Sequence, residues 1–198
     1  MGRKRKAKPT FWQSPFEIVI DTREQKPYDF SGLVSDVKEG RVPIKVRTQI
    51  ARLETGDYTV AGYQDQVVIE RKSPSDLIKT LTHRRDAFFY ELDRMRKIPC
   101  SLILVEGDIV PILLDPDLCL PLSQRKKIGR TIIAIQQDYA TIQWSFAHTR
   151  NHAESYAWQW LKRWHRRHGN ELEDLSVSEL RAKSIDETTQ GETDGPRV

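Results

Sequence analysis

Cysteine is almost missing. Only Cys100 and Cys119 occur in 198 residues. They form no metal-type spacing, so two buried thiols in a reducing compartment are expected. Long apolar runs are missing as well. No stretch reaches the about 18 residues of a membrane helix, so no membrane span is expected. The basic amino terminus has no apolar segment behind it, which leaves no secretory signal. There are no internal repeats, and aromatics become sparse after Gly169. What remains is a chain with 38% hydrophobic and 30% charged residues. That suits one domain with one sizeable core, flanked by tails.

Negative charge is scarce in the body and concentrated at the end. Eight acidic and three basic residues between Glu171 and Val198 sum to −5; the whole chain carries +4, so residues 1–170 carry +9. A basic body with an acidic tail fits a polyanionic partner, with the tail limiting non-specific binding. The run Arg3-Lys4-Arg5-Lys6-Ala7-Lys8 reads as a phosphate-contacting arm, as a nuclear import signal in a eukaryote, or as a solubilising tail.

Strands and helices alternate along the middle. Phe16 to Asp21 holds the run Ile18-Val19-Ile20, as in a central strand buried on both faces. Asp21-Thr22-Arg23-Glu24 follows its end, where ligands bind in open α/β sheets. Leu33, Val34 and Val37 suggest one or two helical turns. Ile44 to Leu53 alternates with period 2, a half-buried strand with a bulge near Ala51. Gly56-Asp57 opens a hairpin of Tyr58–Ala61 and Val67–Lys72. Ser73-Pro74-Ser75-Asp76 is a helix start, with Asp76 reaching back to the Ser73 backbone. Leu77, Leu81, Phe88, Leu92 and Met95 then predict one amphipathic helix to about Lys97. A strand over Ser101–Glu106, a helix over Ser123–Gln137, a strand over Thr141–Phe146 and a helix over Thr149–His168 complete the alternation. In the last helix Tyr156, Trp160 and Trp164 recur every four residues, as core or as a dimer interface. Val177–Lys183 suggests a short helix, and from Ser184 disorder is expected.

On the strand ending Glu70-Arg71-Lys72, Glu70 and Lys72 share one face and Arg71 takes the other. Alone, the triplet reads as an exposed ion pair on a strand edge. With Asp57 one hairpin away, it reads as a divalent-metal site for phosphodiester hydrolysis.

The pattern Gly56-Asp57, twelve residues, Glu70-Arg71-Lys72, three residues, Asp76 resembles the hallmark of the XPF/Hef family of structure-specific endonucleases. The resemblance extends upstream to Asp21-Thr22-Arg23-Glu24 and downstream to the final helix, spanning roughly residues 15–168, and looks most like compact stand-alone versions in bacteria and phages. It departs in three ways. Arg84-Arg85 stands where relatives often carry Gly-Arg, with Arg85 aligned to the family arginine. In this sequence no tandem helix-hairpin-helix domain follows and no helicase domain precedes.

The resemblance implies an α/β fold with a restriction-endonuclease-like core, a mixed central β-sheet flanked by helices. It divides the chain into a basic disordered tail (1–14), a nuclease domain (15–168) and an acidic, mostly disordered tail (169–198). It implies an Mg²⁺- or Mn²⁺-dependent endonuclease acting on branched or distorted DNA, in the cytoplasm of a bacterium or phage host or in a eukaryotic nucleus. Asp57 and Glu70 would hold the metal, and Lys72 would orient the attacking water. Asp21 and Glu24 would complete the acidic cluster. Arg23, Arg71, Arg85 and Asp76 would contact phosphate or brace the site, and the domains of two copies would pair. A non-catalytic DNA-binding subunit and a junction resolvase on the same core are the alternatives.

Overall fold

A computed structural model describes residues 11–35, 41–109 and 121–169. Most of the expected basic tail, the acidic tail, the suggested helix at Val177–Lys183, Val37 and Cys119 lie outside them. The chain separates into two units, Met1–Leu161 and Lys162–Val198. The sheet and its helices belong to the first, apart from the end of the last helix.

Six strands form one sheet in the order β2-β1-β3-β4-β5-β6. They are β1 (Trp12–Asp21), β2 (Ile44–Ala51), β3 (Tyr58–Val60), β4 (Val67–Lys72), β5 (Cys100–Glu106) and β6 (Ile142–Ala147). β3 runs antiparallel to both its neighbours, β1 and β4. The pairs β1–β2, β4–β5 and β5–β6 are parallel. This is the expected mixed sheet. The interior strands read as continuous apolar runs because both faces are covered: Ile18, Val19, Val67, Val68, Ile69 and Leu102 to Val105 are all buried.

Helices α1 (Pro74–Thr82), α2 (Arg85–Met95) and α3 (Leu122–Asp138) close one face. Leu77, Leu81, Phe88, Leu92, Met95, Ile128 and Ile132 join Val68, Ile103 and Val105 of the sheet in one core cluster. Side chains alternate along β4, so Glu70 and Lys72 share the Val68 face, beneath these helices. Val67, Ile69 and Arg71 look to the opposite face, where the rings of Tyr28, Phe30 and Tyr58 meet at 5.1–6.1 Å. The last helix, α4 (Arg150–His168), comes after β6.

Several local expectations need correction. The helix predicted from Ser73 to Lys97 is two helices. The N–H groups of His83 and Arg84 converge on the Lys79 carbonyl at 2.8 and 3.1 Å, and the Thr82 hydroxyl bonds the Ile78 carbonyl at 2.7 Å. The α1 ladder stops there, and the spacing of seven from Leu81 to Phe88 concealed the break. The turns suggested at Leu33 and Val34 are instead a β-bridge between Val34 and Pro43. β2 is an edge strand, and of its apolar face only Ile44 is buried while Ile50 is 72% exposed. In α4 the buried stripe is Ala153, Ala157, Trp158 and Leu161, with Trp164 beyond, while Tyr156 is exposed and stacks on Trp160. Of the aromatic stripe read from the sequence, Trp164 is thus in the core and Tyr156 is not. β1 also begins four residues earlier than expected, at Trp12.

Candidate active site

The turn before β3 fixes an acid between three strands. Gly56 has φ 75°, and a Cβ there would stand 2.0 Å from Val68 Cγ2, so the close approach to β4 requires glycine. Asp57 then donates its N–H to the Ile69 carbonyl at 2.8 Å, and its own carbonyl accepts the Asp21 N–H at 2.9 Å. Its carboxylate Oδ2 accepts the Arg71 N–H at 2.7 Å. One acid is thereby tied to the ends of β1 and β4.

Glu70, 5% exposed, is the buried acid of β4. The Lys72 ammonium donates to Glu70 Oε1. Glu91 of α2 also stands near Nζ, at 3.5 Å. Burial pushes the Asp57 carboxyl up to about 7, although the Arg71 N–H partly offsets it and the Glu24 charge adds to it. Burial, reinforced by the charge of Asp57, drives the Glu70 carboxyl well above the usual carboxylate range. Burial opposes the charge on Lys72, but Glu70 and Glu91 outweigh it and the ammonium is held more firmly than usual. The buried Glu70 and the half-buried Asp57 thus resist carrying full negative charge together, and one fixed cation stands beside Glu70.

The other face of β4 holds an ion network. Arg71 donates Nε and Nη2 to the two Glu106 oxygens at 2.8 and 2.6 Å, and Nη1 lies 3.3 Å from both Glu24 oxygens. Its side chain is 8% exposed. Arg150 adds Nη1 to Glu106 at 2.9 Å and Nη2 to the Lys26 and Pro27 carbonyls at 2.7 and 2.8 Å. Burial alone would raise the Glu106 carboxyl, but the Arg71 bonds hold it below its ordinary value. The alternation read from the sequence therefore holds: Arg71 is closed inside protein, away from the Glu70–Lys72 face.

Asp21 is fully engaged. Its carboxylate accepts the Arg23 N–H at 2.7 Å, Arg23 Nε at 2.7 Å, Arg23 Nη2 at 3.1 Å and the Leu53 N–H at 2.6 Å. Burial pushes this carboxyl up, yet these donors together bring it below the ordinary value. Arg23 is pinned by Asp21 and the Leu53 carbonyl while its side chain remains 59% exposed.

Asp57, Glu70, Lys72, Asp21, Arg23, Glu24 and Arg71 are thus gathered at one end of β1, β3 and β4. Two sequence candidates make no contact with them among the described residues. Asp76 accepts the Ser73 hydroxyl at 2.7 Å while its N–H returns to Ser73 Oγ at 3.2 Å; the bond is to the serine side chain, not to its backbone. Arg85 lies over the Phe89 ring at 5.3 Å. Sequence reasoning missed Glu91, Glu106 and Arg150. The signal for Glu106 was its place one residue past the partner of Lys72 on β5, since Lys72 pairs with Val105. The signal for Glu91 was an acid three residues after Phe88 and next to Leu92, at the margin of the apolar stripe. Arg150 carried none beyond opening a helix after a strand.

Among the described residues no three His, Cys, Asp or Glu side chains converge to hold a metal ion. The two carboxylates in electrostatic contact are Asp57 and Glu70. Their hard oxygens suit a magnesium-like cation, which binds one or two carboxylates and keeps its other positions for water and phosphate. The residues present fit such an ion.

Among the described residues no helix is long and apolar enough to cross a membrane. A solved structure of XPF from Aeropyrum pernix matches with TM-score 0.53 at 21% identity, over 84% of this chain and 73% of that one. XPF from Aeropyrum pernix in complex with DNA matches with TM-score 0.49 at 20% identity, over 77% of this chain and 66% of that one. The first likeness is one of fold, the same mixed sheet with flanking helices. No curated protein matches. A model of the ERCC4 domain matches residues 20–159, well over half of the chain. The chain therefore belongs to the ERCC4 domain family, that of the XPF-type nucleases.

Proposed function

We propose that this nuclease-family domain is an Mg²⁺- or Mn²⁺-dependent endonuclease that hydrolyses phosphodiester bonds in branched or otherwise distorted DNA. One observation carries the reading: the buried carboxylate of Glu70, on which the charge of the half-buried Asp57 acts, stands beside a lysine held in place by its pairing with that glutamate. Asp57 and Glu70 would hold the divalent cation, which when bound supplies Lewis acidity and a more acidic water. Lys72 orients the attacking water and stabilises charge gathering on the phosphorus oxygens. Arg23, fixed at its base and open at its surface, takes a phosphate oxygen of the strand. Glu24, Glu106, Arg71 and Arg150 keep β4 and the turn after β1 at fixed positions. The +9 of residues 1–170 draws the polyanion to the protein.

Action on DNA fits the cytoplasm of a bacterium or phage host, or a eukaryotic nucleus. Exposed Leu122 and Ile133 on α3 and Tyr156 on α4 support pairing of two copies, which light scattering tests.

The deciding experiment is a panel of forks, flaps, junctions and plain duplex, with Mg²⁺, Mn²⁺ or EDTA, using wild type and Asp57→Ala. Metal-dependent cutting near branch points by wild type alone is expected. Full cleavage by Asp57→Ala overturns the site. Binding without cleavage on every substrate makes the chain a scaffold. Symmetric paired cuts on junctions make it a resolvase.

A further inference from the structure

The ammonium of Lys72 has three N–H donors and no acceptor. Glu70 takes one. Glu91 stands 3.5 Å from the same nitrogen, and the Phe88 ring centre lies 5.4 Å away. We infer that Glu91 is a positioning residue: from α2 it holds Lys72 as a second anchor and directs the remaining N–H of that lysine at the scissile phosphate or its water. This deepens the endonuclease reading and rests on it.

In that reading Glu70 also serves the cation. A carboxylate shared with a divalent ion holds an ammonium less strongly, because the two positive charges repel. Lysine has a long flexible stem, so a single weakened contact would let it swing. Glu91 removes that freedom. It belongs to a different element from Glu70, so engagement of Glu70 does not displace it. Its helix is rigidly supported, with Phe88, Leu92 and Met95 all buried. The contact that Glu91 makes in the cluster is with the lysine, at 3.5 Å. Its charge is felt by Asp57, Glu70, Lys72 and Arg23 together, which marks it as a member of the cluster.

The test uses Glu91→Ala, Glu91→Gln, Lys72→Met and the double variant Lys72→Met/Glu91→Ala in the full chain. Three quantities are measured: kcat and KM on the best substrate, Mn²⁺ affinity of the free protein by calorimetry, and the unfolding midpoint. Glu91→Ala is expected to lower kcat by about 10- to 100-fold, the usual effect of a misaimed catalytic group. KM stays at its wild-type value, and Mn²⁺ affinity changes by well under tenfold, as loss of one nearby charge that is not a ligand would give. Glu91→Gln, which keeps an acceptor oxygen, recovers part of the loss. The double variant is no slower than Lys72→Met, because the two act as one unit. Unchanged kcat in Glu91→Ala overturns the inference. A loss of Mn²⁺ affinity of about tenfold or more, the size expected when a metal-site residue is removed, overturns it too, making Glu91 a ligand. Equal losses in Glu91→Ala and Glu91→Gln that track a lowered midpoint reduce Glu91 to a structural residue. If wild type cleaves nothing, the endonuclease reading falls by itself, and the unfolding midpoints decide the pairing: additive effects of Lys72→Met and Glu91→Ala overturn it and non-additive ones support it.

Discussion

The carboxylate of Asp57 accepts the backbone N–H of Arg71 at 2.7 Å, so the acid on one arm of the hairpin is bound to the main chain of the other. The bond needs an acceptor and not a charge. Asp57→Asn retains a carbonyl oxygen for it while removing a charge that burial penalises. In EDTA at pH 8 this variant is expected to be more stable than wild type by about 1–2 kcal/mol, a rise of roughly 2–8 °C in the unfolding midpoint. The same variant loses cleavage. Scanning calorimetry and a cleavage assay on one preparation check the pair of outcomes, and a lower midpoint for Asp57→Asn contradicts the first.

The pH dependence of stability is set by the same group. Its folded pKa of about 7 lies above the ordinary 3.8. Between these values the folded chain holds a proton that the unfolded chain releases, so stability of the cation-free protein falls as pH rises from about 4 to 7 and levels off beyond. Glu70 has a shift of the same sign. Asp21 and Glu106 are shifted downward; their contribution is present above the ordinary carboxylate range and is lost as pH falls through their lowered pKa values. Urea midpoints across the acid-to-neutral range should therefore pass through a maximum on the acid side of neutrality. Asp57→Asn flattens the fall toward neutral pH, and saturating Mn²⁺ opposes it. A wild-type midpoint that climbs steadily through neutrality in EDTA would contradict the assignment.

Arg71 and Arg23 separate bracing from binding. Arg71→Met leaves Glu106 and Glu24 buried with reduced compensation, and removal of one partner from a buried ion network costs about 3–5 kcal/mol. Urea unfolding should register that loss. Arg23 is largely exposed; Arg23→Ala is expected to weaken DNA binding and to lower the slope of log affinity against log salt by about one. Equal salt slopes for wild type and Arg23→Ala would remove Arg23 from the phosphate contacts.

Much of this site was legible because β-strands alternate. The period of two placed Glu70 with Lys72 and sent Arg71 to the other face, and Gly56-Asp57 marked the turn that brings a second acid alongside. Glu91 was not legible in the same way. It enters from α2, and α1 and α2 were read as one helix, since spacings of four and seven continue across the break at His83 and Arg84. The orientation of a residue beyond a break cannot be projected from the residues before it. In α4 the buried face is shared by Ala153, Ala157, Trp158, Leu161 and Trp164; of the aromatic stripe read from the sequence Trp164 lies on it, while Tyr156 does not, because a period of four drifts around a helix of 3.6 residues per turn. Ile50 looked half-buried because alternation reports a two-sided strand but not whether a neighbour covers it.

Gly56 offers the most direct check of the hairpin that presents Asp57. Alanine there meets two separate obstacles. Its φ of 75° disfavours any Cβ, and the new methyl would stand 2.0 Å from Val68 Cγ2 and 3.2 Å from the Ile69 carbonyl oxygen. The conformational part costs about 1–2 kcal/mol and the overpacking about 1–3 kcal/mol more. Gly56→Ala should therefore lower stability by about 2–5 kcal/mol, the sum of the two, and, by moving Asp57 from Glu70, reduce cleavage further than the stability loss accounts for. Val68→Ala removes the methyl that obstructs it. In the double variant the steric part should be recovered and the conformational part retained, so Gly56→Ala should cost less in the Val68→Ala background than in wild type. An equal cost in both backgrounds would mean that backbone conformation alone, and not the approach to β4, requires glycine at this turn.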